Sequence, residues 1–153
     1  MPTTPVESST ILRDTIFAIK NFLSGAIADP IASNRPNSKD FIMTSYPTKP
    51  TVFPLVTIKD VNSFDTQRLG FQSEATQHNI DVEVRVWSNT VALRDSLAGS
   101  IHQAMRTNQF GGGSSWATDY DLHDYKLLNS LNIDTPNGDK SKVMTFRFLH
   151  VAD

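Results

Sequence analysis

One short stretch of the sequence, DYDLHD at residues 119–124, contains side chains that could together bind one metal ion. On an extended strand, Asp119, Asp121 and His123 would project from the same face, because successive side chains alternate between faces. Two carboxylates and one imidazole are ligands of divalent metals, so the stretch could serve a small metal-dependent hydrolase. Asp124 stands where an EF-hand loop requires glycine, which excludes that motif. The competing interpretation is a solvated strand entrance. Since no second cluster supplies further ligands, we expect no metal.

Other catalytic signals are weak. The glycine-rich stretch NQFGGGSSWAT, residues 108–118, lacks the Lys-Ser/Thr ending of a phosphate-binding loop and the G-x-S-x-G pattern of a hydrolase nucleophile. We interpret it as a flexible linker that can become ordered against a partner. His78, His102 and His150 have no local arrangement with serine and aspartate that indicates a catalytic triad. The sequence therefore predicts a protein that is no enzyme and has no cofactor.

Composition excludes several kinds of site and partner. The chain has no cysteine, which rules out disulfides, Cys-ligated zinc, iron–sulfur clusters and thiol nucleophiles. Its 14 basic and 16 acidic residues are mixed along the chain, so no basic run is present for nucleic acid, and we expect no nucleic-acid partner. The N-terminal residues lack the basic and apolar regions of a signal peptide. No apolar run approaches the roughly 18 residues of a membrane span, so we expect no membrane association.

Two helices and four or five strands are predicted to hold the polar residues in place. Apolar side chains recur at helical spacing in two segments: Leu12, Ile16, Ile19, Leu23 and Ile27, then Leu93, Leu97, Ile101 and Met105. Strand-like patterns cover residues 41–46, 51–61, 78–87, 121–134 and 142–151. Pro54 lacks an N–H for a sheet ladder, so we expect it at a sheet edge or bulge. The order predicts an α+β fold with a mostly antiparallel sheet of four to five strands and two main helices packed on one face.

A single domain accounts for the chain length of 153 residues. Residues 1–9, with two prolines, are predicted to be a flexible lead-in, and residues 10–153 a single α+β domain. Two segments, 62–77 and 108–118, are predicted to be projecting loops that become ordered on assembly.

The strand at residues 78–87 has an apolar face and a polar face, so one side of its sheet is expected to lie outside the core. Trp and Arg are enriched among the residues that dominate protein interfaces. The candidate interface residues are aromatic or cationic side chains on this polar face or in the two predicted loops: Arg85, Trp87, Phe64, Phe71, Phe110 and Trp116.

Three features together carry a family resemblance. A Pro-containing strand reads FPLVTI, a later strand ends in VRVWS directly before a helix, and that helix begins with LRDSLA and leads to a loop and a two-stranded finish. Over roughly residues 10–150 this pattern resembles the tail-terminator or tail-completion proteins of tailed bacteriophages.

The resemblance implies a structural role in the virion tail or neck, for a protein made in the host cytoplasm. Such subunits form a ring, commonly a hexamer, at the head-proximal end of the tail tube. They end tube polymerisation and join the tail to the head. The implied partners are further copies of the chain, the tail tube protein, and a head-tail connector or head-closure protein. The alternative within the virion is another neck, head-closure or baseplate component.

Overall fold

Helices and strands follow one another in blocks along the chain, with a helix first and a hairpin last. The computed structural model describes residues 5–6, 10–36, 40–45, 52–68, 76–110, 113–135 and 138–152. The helices are α1 (Ile11–Ala26), α2 (Val91–Thr107) and the short α3 (Trp116–Tyr120). The strands are β1 (Ile42–Met43), β2 (Leu55–Arg68), β3 (Thr76–Ser88), β4 (His123–Asp134) and β5 (Lys140–Ala152).

The five strands form one sheet in the order β1-β2-β3-β5-β4. Every pair is antiparallel except β1 with β2, which is parallel and joins β1 to Val56 and Thr57 alone. The predicted α+β class and the mostly antiparallel sheet are confirmed. The last strand of the chain, β5, lies inside the sheet between β3 and β4. Pro54 lies directly before β2, after a cis peptide bond to Phe53, and so removes no donor from the ladder.

The core lies between the sheet and the helices. Alternation along β3 buries Ile80, Val82, Val84 and Val86 completely. Side chains from one face of α1 and of α2 complete the same cluster: Ala18, Ile19, Leu23, Leu97, Ala98, Ile101 and Met105. Each fully buried aliphatic side chain stabilises the fold by about 1.5–3 kcal/mol through removal from water. Both long helices therefore pack on one face of the sheet, as predicted from their apolar spacing.

Hydrogen bonds from Arg35 link the segment after α1 to the residues just before β2. Its guanidinium donates to the Asp29 carboxylate at 2.5 and 3.0 Å, to the Val52 carbonyl at 2.8 Å and to the Pro54 carbonyl. The Arg35 side chain is 5% exposed. The hydrogen bond from Arg35 holds the pKa of Asp29 below its ordinary value.

The two segments predicted as loops contain regular structure. Residues 62–68 and 76–77 belong to the long β2–β3 hairpin, whose register runs from Leu55 opposite Trp87 to Arg68 opposite Thr76. Ser115 caps α3 by accepting from the Thr118 N–H, so the end of the glycine-rich segment enters a helix. Within the predicted lead-in, Val6 is 3% exposed and its N–H donates to the Tyr120 carbonyl. That residue is therefore anchored to the domain.

The candidate metal ligands do not share a strand face. Asp119 lies in α3, Asp121 has a left-handed backbone with φ of 56°, and His123 is the first residue of β4. The expectation of strand alternation here is wrong, because a helix and its C-cap occupy the positions. The His123 Nε2 lies 2.8 Å from the Asp121 Oδ1. Among the described residues, no group of three or more His, Cys, Asp or Glu is placed to hold a metal ion.

The described helices include none that is both long enough and apolar enough to cross a bilayer.

Candidate protein interface on the open sheet face

One face of the sheet carries none of the described helices. α1, α2 and α3 all contribute to the cluster on the opposite face. We call the uncovered side the open face, and strand register places on it mostly polar side chains with a few large apolar ones. Its members include Leu55, Thr57, Lys59 and Phe64 from β2, Asp81, Glu83, Arg85 and Trp87 from β3, Ser141, Val143, Thr145 and Arg147 from β5, and Lys126 and Leu131 from β4.

A charge pair lies near the middle of the open face. Arg147 donates from Nε and Nη2 to the two carboxylate oxygens of Asp81, at 2.7 and 3.0 Å. Asp81 is 5% exposed, so its partner replaces most of the water that it would otherwise bind. The hydrogen bond to Asp81 raises the pKa of Arg147. The same guanidinium lies over the Phe64 ring, 5.2 Å from its centroid, so β2, β3 and β5 are tied together at this point.

A second cluster lies on the same open face, near the C-terminal end of β3. The Arg85 guanidinium is 4.0 Å from the Trp87 ring centroid, within cation–π distance. Trp87 Nε1 donates to Thr57 Oγ1 at 3.1 Å, and Arg85 Nη2 donates to Ser141 Oγ at 3.0 Å. The buried Arg85 Nε finds no acceptor within the described part of the chain. A buried donor without an acceptor costs about 1–3 kcal/mol.

Charge on the open face is close to balanced. Lys59, Arg85 and Arg147 share the face with Asp81 and Glu83, and the Lys59 ammonium lies 3.6 Å from the Glu83 carboxylate. Register also places Lys126 of β4 on this face, with its ammonium 3.2 Å from the Asp124 carboxylate. Nucleic-acid surfaces need a clear excess of cations to replace counterions around phosphates. Aromatic side chains and arginine, as in the pair Trp87 and Arg85, are the residue types enriched at protein interfaces.

Exposed aliphatic side chains lie toward both edges of the sheet. Val61, at the β2 bulge, is 55% exposed, and Leu131 on β4 is 58% exposed. Leu128, at the β4 irregularity, is 40% exposed. The apolar surface of the sheet is thus concentrated at its margins, around the polar and aromatic centre.

The structure brings three of the six predicted interface residues together. Arg85, Trp87 and Phe64 lie on the open face. Phe110 follows α2 and is 76% exposed. Phe71 falls outside the described residues.

Trp116 does not belong to the interface, and its assignment is corrected. It is 1% exposed, and its Nε1 donates to the Met105 carbonyl at 2.9 Å. The indole meets Phe22 and Phe148 edge to face, with centroids 4.6 and 5.0 Å apart. A tryptophan after a glycine-rich stretch suggested a loop residue, but it is a central core residue.

Sequence reasoning missed Asp81, Arg147, Val61 and Leu131. Alternation did place Asp81 on the polar face of its strand, and Arg147 alternates with apolar residues in the last strand. Their contact depends on β3 pairing with β5 across 66 positions of sequence, for which no local pattern exists.

No protein-family model matches the chain, and no curated protein matches it in sequence. Among solved structures, the chain is similar to one chain of a structure described as the virion of a native gene transfer agent (GTA) particle. The two superpose with a TM-score of 0.62 at 11% sequence identity, over 92% of this chain and 96% of the other. The likeness therefore shows a shared fold over nearly the full length of both chains.

Proposed function

We propose that the protein is a structural subunit of a phage-like virion, and specifically a tail terminator. In this role it forms a ring, proposed to be hexameric, at the head-proximal end of the tail tube. The ring ends tube polymerisation and joins the tail to the head connector. The observation that carries the proposal is the shared fold with a chain of a virion particle over 92% of this chain and 96% of that one.

The open face supports an assembly role. It presents aromatic and charged side chains whose positions are held by their own neighbours, such as Arg147 by Asp81 and Trp87 by Thr57. Side chains that are already ordered lose little conformational entropy when a partner binds. A surface of this kind can dock against a neighbouring subunit or a tube without prior rearrangement.

The proposed role needs no reaction chemistry. The side chains with metal-binding potential, Asp119, Asp121 and His123, are spread over a helix, its C-cap and a strand. We therefore assign no catalytic, cofactor-binding or metal-binding residue.

The test is electron microscopy of the purified protein mixed with purified tail tubes, with complex mass measured in parallel. The proposal predicts a ring at one end of each tube, and the mass then gives the number of copies. Leu131→Glu changes an exposed aliphatic of the sheet and is expected to weaken capping. Val91→Glu, at the first residue of α2 with 47% exposure, is the matched control and should cap normally.

Two results would overturn the terminator role. Binding to a head connector without binding to tubes would favour a head-closure subunit. Binding to the distal end of the tail would favour a baseplate component.

A further inference from the structure

The two outer edges of the sheet are unpaired over most of their length in the described part of the chain. On one side, β1 covers only Val56 and Thr57 of β2, so β2 from Ile58 to Arg68 is paired with β3 alone. On the other side, β4 pairs with β5 alone. An unpaired edge presents a row of backbone donors and acceptors to any strand that approaches it.

Both edges also expose apolar side chains. Val61 stands at the β2 edge, and Leu128 and Leu131 stand on β4. Not one residue of β4 is fully buried. Charged side chains also stand at these edges, such as Lys59 on β2 and Lys126 on β4. The exposed aliphatics beside them fit surfaces that are covered in an assembly.

The helix layer stops short of β4. A cavity of about 130 Å³ lies between α2 and the β4 side of the sheet. Its lining includes Ala98 and Gly99 from α2 and Leu127 and Ser130 from β4. A Cβ atom added at Gly99 would meet nothing within 4 Å among the described residues, so there is open space beside α2 at this point. The helix-side face of β4 is thus also available to a neighbour.

Strand directions make the two edges complementary. Because β2–β3, β3–β5 and β5–β4 are all antiparallel, β2 and β5 run in one direction, and β3 and β4 in the other. If a second copy is placed beside the first with its helices in the same layer, its β2 runs antiparallel to β4. The alternating pattern of the sheet then continues across the two copies without a break.

We propose that the β2 edge of one copy, residues 58–68, pairs antiparallel with β4 of the next copy, and that this contact builds the ring. The contact joins two different edges, so it is heterologous and closes by rotation. The proposal rests on the proposed function, because the ring that it builds is the terminator ring.

β-Bulges in β2 and β4 limit the length of the ladder that two neighbouring copies can form. Register shifts interrupt β2 between Asp60 and Asn62 and between Asp65 and Gln67, and they interrupt β4 between His123 and Lys126 and between Leu127 and Asn129. Each bulge shortens the uninterrupted ladder that one contact can form. Single contacts are then weak, and a ring in which every copy makes two contacts is favoured over open chains.

Cross-linking tests the contact directly, because the natural chain has no cysteine. Val61→Cys and Leu131→Cys each replace an exposed aliphatic at one edge, and the variants are made singly and together. The reagent is a bismaleimide with a spacer of about 10 Å, which spans opposed Cβ atoms about 5 Å apart and a register offset of two residues. Val91→Cys is the control, because Val91 is exposed at the first residue of α2 and belongs to neither edge strand.

The expected result is specific to the pair of edges. A mixture of the two single variants gives linked dimers, and the double variant gives a ladder that ends at the ring size. Each single variant alone, or either one mixed with Val91→Cys, stays below a tenth of that yield. The reactions are run on tail tubes and also on the protein alone at millimolar concentration.

The two proposals fail in different ways. Capped tubes without edge-specific cross-links would overturn the edge contact and leave the terminator role standing. Edge-specific cross-links in the isolated protein, with tubes left uncapped, would support the contact and overturn the role. Equal linking through Val91→Cys, or no linking under either condition, would overturn the contact.

Discussion

The two tryptophans of the chain provide a paired test, because one lies in the core and the other on the open face. Trp116→Phe removes the hydrogen bond to the Met105 carbonyl, worth about 1 kcal/mol. It also removes part of an indole that is 1% exposed, which costs about 1–2 kcal/mol in lost burial and a residual cavity. We expect the free energy of unfolding to fall by about 2–3 kcal/mol.

Trp87→Phe should behave differently. The indole of Trp87 is only partly buried, and the substitution removes one hydrogen bond to Thr57 and weakens the contact with Arg85. We expect a loss of about 1 kcal/mol in the free energy of unfolding. The fraction of tail tubes that are capped should also fall, although most of the variant remains folded, because Trp87 lies on the proposed interface.

Urea denaturation followed by far-UV circular dichroism measures both stabilities. Each variant also retains a single tryptophan, so its emission wavelength reports one environment. Emission from Trp116 in the Trp87→Phe variant should be the more blue-shifted. Equal losses of stability in the two variants, or a loss below about 0.5 kcal/mol for Trp116→Phe, would refute the placement of Trp116 in the core.

Further predictions concern polar contacts of the fold. Arg35→Ala should lower the free energy of unfolding by about 2–4 kcal/mol, as measured by urea denaturation. The variant removes the Arg35 donors from two backbone carbonyls and leaves the Asp29 carboxylate with the Ile31 N–H. Because the folded-state pKa of Asp29 is lowered, the unfolded chain takes up that proton first. The stabilisation from Asp29 is therefore present above about pH 4 and is lost as pH falls through the folded-state pKa. In urea denaturation between about pH 5 and 2, the free energy of unfolding of Arg35→Ala should fall less steeply with pH than that of the wild type. Asp81→Asn should cost about 1–3 kcal/mol by weakening the bidentate pair with Arg147, and an unchanged unfolding midpoint would contradict the pairing. Tyr125→Phe should be neutral or stabilising by up to about 1 kcal/mol, since the buried hydroxyl has no hydrogen-bond partner among the described residues. In the wild type, burial raises the pKa of Tyr125 to about 12, so ultraviolet titration should show a tyrosine near that pH that the variant lacks. Burial also raises the pKa of Tyr120, which the variant retains.

Local patterns were sufficient for the two long helices and for β3, β4 and β5, whose predicted ranges match the observed strands to within two residues. The apolar spacing of Ile19 and Leu23 predicted the buried face of α1, and the alternation from Ile80 to Val86 predicted the buried face of β3. Both patterns are periodic over several turns or pleats, so burial of one face follows from the sequence alone.

The long hairpin was harder to predict. Residues 62–68 are mostly polar and the β2 register shifts twice, so the alternation that identifies a strand is lost. Backbone pairing with β3 forms this part of β2 despite its composition. Similarly, Trp116 is buried because α1, α2 and β5 meet around it, which is a property of the tertiary fold.

Only part of the candidate interface could be predicted from the sequence, because local alternation shows which face a residue lies on but does not show its partners on other strands. Alternation placed Arg85 and Trp87 on a polar face, and the structure shows that described helices leave that face uncovered. The partners that hold the face in place, Asp81 with Arg147 and Trp87 with Thr57, lie on strands that are distant in sequence. Only the strand order brings them together.

The central claim is that the protein ends growth of a tail tube, and a tube-elongation assay tests it most directly. Purified tubes are incubated with the protein, and fresh tube subunits are then added while tube length is measured by electron microscopy. The account predicts that tubes incubated with the wild-type protein keep their length. Tubes incubated with the Leu131→Glu variant should elongate, and tubes incubated with the Val91→Glu variant should not. Tubes that lengthen equally with and without the wild-type protein would contradict it.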